Sequence, residues 1–292
     1  MLSQSQLEVK AGSPRTRRSR PLPSPRQRYQ EYLMQRIEDY KNSLPREAVL
    51  RLGNEATTEL HDAPDGQYFL TEVLVQDMVD RLIQKRLKLP SFPKWRQKFA
   101  KLRAAQREPT HWGIERGSAV ATVLPRLEPG DHALVVGGGA EASAYLLAAH
   151  DLRVTGLFGD DAICTRIENR MAAESLTGDF AAFVVMLGSW FPELALPVHL
   201  VVIDAVTLAE LGARERLALM ARLQDVTVAG GVHAVVSPSG NVAAETWLSL
   251  YPDWSRIPVR AETTRRGTKR PTPPGVLLAR PFPQSPSQAS TA

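Results

Sequence analysis

Short apolar runs alternate with helical patterns through the second half of the chain. The runs predict strands at Ala133–Val136, Arg153–Phe158, Ala182–Leu187, His199–Ile203, Gly231–Ser237, Ser255–Val259 and Gly275–Ala279. Between the first five, the spacing predicts helices at Ala142–Ala149, Asp161–Ser175 and Ala209–Leu223, and a short connection at Glu193–Leu196. This alternation predicts a mostly parallel sheet covered on both faces. The last two strands have no helix between them, so we expect an antiparallel hairpin there.

The first half of the chain has helical patterns only. They predict helices at Tyr29–Leu44, from Pro45 onward, at Leu70–Leu87 and at Lys94–Arg107. The change of pattern divides the chain into an all-α region at 28–108 and an α/β domain at 109–281. The ends at 1–27 and 282–292 are poor in large apolar residues, and we expect a disordered basic tail and a disordered C-terminal tail.

Three consecutive glycines follow the first predicted strand. Gly137, Gly138 and Gly139 come after Val136 and before a helical segment. A strand that breaks into a glycine turn and restarts as a helix brings bare backbone close to a ligand, and the helix N-terminus adds free N–H groups. The pattern therefore predicts the nucleotide-binding end of a Rossmann-like sheet.

From about His111 to Pro281, the chain resembles the class I S-adenosylmethionine-dependent methyltransferases. The resemblance rests on the strand order with its final hairpin, on the glycine turn, and on the segments R-V-T-G-L-F at 153–158, V-H-L-V-V-I-D-A at 198–205, V-A-G-G-V-H-A-V-V at 228–236 and T-H-W-G at 110–113. It implies a Rossmann-like seven-strand sheet, parallel apart from the C-terminal hairpin. It also implies S-adenosylmethionine as the cofactor, bound by Gly137, Gly138 and Gly139.

The chain departs from the family pattern at several binding positions. Glu141 takes the place of the third glycine of the motif, and Phe158 stands where the family has the acid that binds the ribose. Leu187 replaces the acid near the adenine. The resemblance keeps Glu141 and Phe158 in the cofactor site by position, with Glu141 as an acceptor for the cofactor's amino group. For Glu141, the alternative is a helix N-terminal acid favoured by the dipole.

Three aspartates are candidates for the missing polar contacts. Asp160 and Asp161 follow Phe158 closely, and either one can accept from the ribose or cap the next helix. Asp204 ends the fourth predicted strand, at the edge where open α/β sheets bind ligands. It is interpreted as an acceptor that faces the pocket, or as a cap of the following loop.

Other chemically capable side chains have plainer interpretations. His199 and His233 are expected in the core, and Cys164 is expected to be buried and inert. Trp190 is expected in the core, with a position facing the adenine as the alternative. His111 is expected to make a structural contact in a lid, with a general base as the alternative. No pattern identifies a catalytic residue, a metal site or the methyl acceptor.

Composition limits the classes of protein that fit. The chain has 292 residues, of which 43% are hydrophobic, so a full core can form. Its single cysteine excludes an internal disulfide and a cysteine-cluster metal site. Neither a membrane-spanning apolar run nor an apolar signal segment is present, and we expect a cytoplasmic protein that does not bind membranes.

Charge is divided unevenly along the chain. Residues 1–110 hold 21 Lys and Arg against 13 Asp and Glu, whereas the remainder hold 15 against 18. Residues 81–107 contain ten Lys and Arg and no acid, with Trp95 and Phe99 among them. This segment is interpreted as a nucleic-acid platform, as a docking arm for an acidic protein, or as solvated helix faces whose rings pack inward.

Three functional hypotheses follow. The first is an S-adenosylmethionine-dependent methyltransferase with a helical extension. The second is a non-catalytic module of the same fold that binds nucleic acid or a protein partner through its basic arm, and the residues at 158 and 187 motivate it. The third is an NAD-binding oxidoreductase, because Gly137, Gly139 and Ala142 also satisfy G-x-G-x-x-A. Phe158 and the final hairpin weigh against the third hypothesis.

Overall fold

The computed structural model describes residues 24–61, 72–176, 180–194, 197–237, 242–259 and 275–282. Nearly all of both predicted tails and the linker Arg260–Pro274 lie outside the described residues. The chain divides into two compact units, residues 1–99 and 100–292.

Helices make up the described part of the first unit. They are α1 (Pro25–Ser43), α2 (Arg46–His61), α3 (Glu72–Arg86) and α4 (Phe92–Gln106), the last of which runs across the division between the units. A small core of Ile37, Leu52, Ala56, Leu82 and Ile83 holds the first three helices together.

Two boundaries of the first unit differ from the sequence prediction. α1 begins inside the predicted tail because Ser24 and Gln27 form a capping box around Pro25, which occupies the first turn. The units divide at residue 99 rather than at 108. The last turns of α4 belong to the second unit, where Arg103 forms an ion pair with Asp151 at 2.6 Å and Gln106 donates to the carbonyl of Glu174 at 2.7 Å.

The second unit is built on one sheet of seven strands. The strands are β1 (His132–Val136), β2 (Arg153–Phe158), β3 (Phe180–Val184), β4 (Val198–Asp204), β5 (Thr227–Val236), β6 (Ser255–Ile257) and β7 (Gly275–Ala279). Their order is β3-β2-β1-β4-β5-β7-β6. β1 to β5 are parallel, whereas β7 is antiparallel to both of its neighbours. This is the Rossmann-like sheet of the class I methyltransferase fold, as the sequence resemblance implied.

Helices cover both faces of the sheet. They are α5 (Ala119–Val123), α6 (Glu141–Ala149), α7 (Asp161–Ala173), α8 (Ala205–Glu210) and α9 (Ala213–Val226). The fully buried β1 shows the division: Ala133 and Val135 pack with α5, α6 and α7, whereas Leu134 and Val136 pack with α8 and α9. A parallel strand that is buried on both faces has a continuous run of apolar residues, which is why β1 is readily predicted from the sequence.

Several elements differ in extent from their predictions, and two of the differences have a visible physical reason. β3 ends at Val184 rather than at Leu187, because its partner β2 ends at Phe158, directly opposite Val184. The single helix predicted at Ala209–Leu223 is two helices. Asp204 caps the start of α8, and Gly212 starts α9 with its N–H bonded to the Glu215 carboxylate at 3.1 Å.

Candidate functional site

The glycine turn joins β1 to α6 at the carboxyl edge of the sheet. Gly137 has a φ of +89°, which favours glycine, and residues Gly138–Ala140 form a short 3-10 turn before α6. A Cβ at Gly137 would collide with the Thr207 side chain, and one at Gly139 would lie 2.6 Å from the Asp204 carboxyl carbon. The glycines therefore let this turn lie directly against the end of β4.

Asp204 connects the two loops at this edge. Its carboxylate accepts hydrogen bonds from the backbone N–H of Val206 at 3.2 Å and of Thr207 at 3.3 Å, and so caps α8. It also accepts from the Thr207 hydroxyl at 3.0 Å and from the Gly139 N–H at 3.3 Å. Asp204 is buried at 3% exposure. The side chain thus caps the following helix, and it also reaches the glycine turn.

Phe158 ends β2 next to the glycine turn and contributes no polar group there. Its side chain is fully buried in the core on the α6 and α7 face, where the ring lies over Gly156. The assignment of this side chain to the cofactor site by position is therefore corrected, because the side chain is packed in the core. Gly159 follows, and a Cβ added to it would meet nothing within 4 Å. The end of β2 thus has open space beside it.

Asp160 and Asp161 lie at the start of α7. Asp160 caps the helix by accepting from the Ala162 N–H at 2.9 Å, and both aspartates are exposed. The capping interpretation therefore applies to Asp160, which uses one carboxylate oxygen for the cap and remains exposed.

Glu141 begins α6 and is held by α7. It forms a bidentate pair with Arg166, whose Nε donates to Oε1 at 3.1 Å and whose Nη2 donates to Oε2 at 2.5 Å, and it accepts from the Tyr145 hydroxyl at 2.6 Å. Burial works to raise the pKa of Glu141, but the hydrogen bonds from Arg166 and Tyr145 outweigh it, so the pKa is lowered. Glu141 thus lies in the first turn of α6, as its alternative interpretation expects, and its carboxylate is bound by these two partners.

A cleft of about 490 Å³ opens beside the exposed Gly139. It is lined by His111, Trp112, Glu141, Tyr145, Arg166 and Arg170. The Trp112 ring packs 5.2 Å from Tyr145, and His111 packs edge-on against Trp112 at 4.6 Å. The prediction of a structural contact for His111 is consistent with this packing.

Sequence reasoning missed Tyr145, Arg166 and Arg170 as parts of this cleft. The available signal was their spacing, since Glu141 and Tyr145, and likewise Arg166 and Arg170, are four residues apart and share a helix face. What the sequence did not show is that α6 and α7 lie side by side.

Among the side chains expected in the core, His233 and Cys164 are buried. Burial lowers the pKa of His233 to about 3 and raises that of the Cys164 thiol. The expectation fails for two others. Trp190 is 55% exposed and His199 is 38% exposed. Trp190 follows β3, and the described residues between β3 and β4 form no helix that would cover it.

No group of His, Cys, Asp and Glu among the described residues is arranged to hold a metal ion. Within the same part of the chain, the helices are too short or too polar to cross a membrane.

Solved structures with a similar fold include methyltransferases. NodS, an N-methyltransferase from Bradyrhizobium japonicum WM9, is 14% identical with a TM-score of 0.45, over 57% of this chain and 94% of that one. Its complex with S-adenosyl-L-homocysteine is 17% identical, with a TM-score of 0.40, over 56% of this chain and 86% of that one. An rRNA methylase from Streptococcus thermophilus is 12% identical, with a TM-score of 0.41, over 60% and 98%.

No protein-family model matches the chain, and no curated protein sequence matches it significantly. Because all these identities and TM-scores are low, the fold assignment rests on the strand order and strand directions of the chain itself.

Proposed function

We propose that this chain is an S-adenosylmethionine-dependent methyltransferase that binds its cofactor at the carboxyl edge of the sheet. The observation that carries the proposal is the glycine turn at the end of β1, in a sheet of methyltransferase strand order, with an open cleft next to the exposed Gly139. Open α/β sheets bind ligands at this edge, where backbone N–H groups and helix N-termini converge.

Several residues at this edge carry groups that can bind parts of the cofactor. The Gly137–Gly139 turn offers backbone without side chains, next to the first turn of α6. Asp160 is exposed, follows Gly159 directly and lies two residues beyond the family's position, and we assign it the ribose hydroxyls. Trp112 and Tyr145 supply an apolar wall of the cleft. Glu141 remains part of the proposed site because its ion pair with Arg166 joins α6 to α7 in the wall of the cleft.

S-adenosylmethionine carries its methyl group already activated on a sulfonium, so the protein's main task is to align an acceptor with that methyl. A site without an identified acid or base is compatible with this chemistry. Asp204 serves by holding the glycine turn against β4, through its bonds to the N–H of Gly139 and Thr207.

Isothermal titration of the full-length chain with S-adenosylmethionine, S-adenosylhomocysteine and NAD tests the proposal. We expect both sulfur compounds to bind and NAD not to bind. Asp160→Asn, which preserves the helix cap, should weaken binding by about tenfold or more because a charged acceptor for the ribose is lost. Glu168→Gln, an exposed acid further along α7, is the matched control and should bind like the parent.

A second candidate function is favoured by the residues at 158 and 187. Phe158 is a core side chain and Leu187 has no carboxylate, so two polar contacts expected from the family are absent from their positions. A non-catalytic module of the same fold would need neither. A folded parent that binds neither sulfur compound would support this second function, whereas binding followed by methyl transfer to a supplied amine, hydroxyl or nucleic-acid acceptor would exclude it.

A further inference from the structure

Eight exposed cations lie on α3, on α4 and in their short connection, and five of them define the surface of interest. We call this set the basic hairpin: Arg81, Lys85, Lys88, Lys94 and Lys98. Arg81 and Lys85 are four residues apart on α3, as are Lys94 and Lys98 on α4, so each pair shares a helix face. All five belong to the first unit.

None of the five forms an ion pair within the described part of the chain. The acids of the first unit that do form ion pairs are bound to other cations. Glu38 and Asp80 pair with Lys41, and Glu55 pairs with Arg86. Because residues 81–107 also contain no acid, the positive charge of the hairpin is not compensated within its own segment. Such a field attracts polyanions and releases their counterions when they bind.

The Trp95 ring is closed to a ligand, and the neighbouring Phe99 ring is half-buried against it. Trp95 is only 7% exposed, and its ring stacks on Phe99 at 4.7 Å with 13° between the planes. Tyr29 packs against the same indole at 5.4 Å. Proteins that bind single-stranded nucleic acid use exposed rings for base stacking. The basic hairpin instead offers flexible ammonium and guanidinium groups, which suit phosphates whose bases are paired.

We propose that the basic hairpin binds double-stranded nucleic acid through its phosphate backbone, without reading the sequence. The proposal goes beyond the proposed methyltransferase function and does not depend on it, since none of the five cations belongs to the cofactor site.

The test measures binding of the full-length chain to a fluorescent DNA duplex of about 20 base pairs, over a salt series from about 50 to about 300 mM. The parent should bind at low salt, and log K should fall steeply with log salt. The triple variant Lys85→Gln, Lys94→Gln and Lys98→Gln should reduce that slope by about 2 to 3, since each lost phosphate contact in B-DNA removes about 0.9. A matched variant, Arg46→Gln, Arg126→Gln and Arg214→Gln, removes three exposed cations elsewhere and should change the slope by less than about 1.

Several results would overturn the proposal. If the parent fails to bind the duplex at low salt, the basic hairpin is a solvated surface. Equal slopes for the two triple variants would assign binding to net charge rather than to the hairpin. Tighter binding to the matching single strand would indicate base stacking, and equally strong competition by polyglutamate would indicate an acidic protein as partner. Both triple variants should bind S-adenosylmethionine like the parent in a titration. That measurement distinguishes failure of the nucleic-acid proposal from failure of the proposed methyltransferase function.

Discussion

Glycine has opposite effects on stability at two positions, Gly139 and Gly53. At Gly139, a Cβ would lie 2.6 to 2.7 Å from the atoms of the buried Asp204 carboxyl group, which cannot move without losing its hydrogen bonds to α8. At Gly53, inside α2, a Cβ would meet nothing within 4 Å. Glycine is thus required by packing in the first case and only costs helix stability in the second.

Alanine at each position should therefore have the opposite effect. Gly139→Ala should lower the free energy of unfolding by about 1–3 kcal/mol, because it overpacks the turn. Gly53→Ala should raise it by about 0.5–1 kcal/mol, because alanine restricts the unfolded chain and favours helix. Urea denaturation followed by circular dichroism measures both. A Gly139→Ala variant as stable as the parent would show that the turn is not pressed against Asp204.

At the end of β2, the residue type again decides what the position can do. The sequence showed that Phe158 replaces an acid, but not where its ring would go. The structure places the ring in the core, over Gly156, which has no side chain to obstruct it. The proposed function therefore assigns the ribose contact to Asp160 at the start of α7.

At the scale of elements, a buried histidine joins β5 to the segment after it. The His233 imidazole is hydrogen-bonded to the Thr227 hydroxyl at 2.8 Å and to the Tyr251 hydroxyl at 3.0 Å. Trp254 packs against the same ring at 4.4 Å. Desolvation, together with the nearby charge of Arg280, lowers the pKa of His233 to about 3. Burial thus favours the neutral imidazole in this network.

This network makes stability depend on pH with a definite sign. The unfolded chain takes up a proton on His233 at a pH of about 6.5, whereas the folded protein does so only near 3. The contribution is therefore complete above about pH 6.5 and is lost as the pH falls, at up to about 1.4 kcal/mol per pH unit. Urea denaturation at several pH values should show this slope in the parent and a shallower one in His233→Gln.

An NMR titration of the parent gives a second measurement that does not depend on a variant. The His233 imidazole should remain neutral down to at least about pH 5. Equal pH slopes for the parent and the variant, or a His233 signal that titrates near its ordinary pKa, would contradict the buried network.

One edge strand of the sheet has no crossover helix packed over it among the described residues. β3 is an edge strand, and the described residues that lead from it to β4 form no crossover helix. Phe183, Val184 and Met186 are consequently exposed. The apolar run in the sequence predicts a strand covered on both faces here, because such a run reports the residues of a strand and not what lies over them.

At the scale of the whole molecule, the two units have separate cores. The first unit has the core around Leu52 and Ile83, and the second has its two cores on the two faces of the sheet. Separate cores let a local defect open one unit while the other stays closed.

Leu52→Ala should therefore destabilise the first unit by about 2–5 kcal/mol, because the side chain is 1% exposed and its removal leaves a cavity. Leu50→Ala, on the same helix but 61% exposed, is the matched control and should change stability by less than about 0.5 kcal/mol. Hydrogen exchange measured by mass spectrometry should show faster exchange in α1 to α3 of Leu52→Ala, with unchanged protection in β1 and β4. An equal loss of protection in β1 and β4 would show that the units open together.

The amino-acid sequence by itself determined the elements that depend on neighbours along the chain. The buried runs of β1, β4 and β7, the glycine turn and the helices of the first half follow from local periodicity and from glycine's backbone freedom. The sheet class and the hairpin followed from the order of these elements, because parallel strands need crossovers and a strand pair without a helix between them pairs antiparallel.

Only the tertiary structure decided which side chains meet. Glu141 is bound by Arg166 and not left free, Asp204 closes on Gly139, and Trp190 lies outside the core rather than in it. Each of these outcomes joins or separates residues that are distant in sequence, through the relative placement of α6, α7, β1 and β4. Local propensity carries no information about such contacts, because the free energy of a side chain depends on the partners and burial that the folded chain provides.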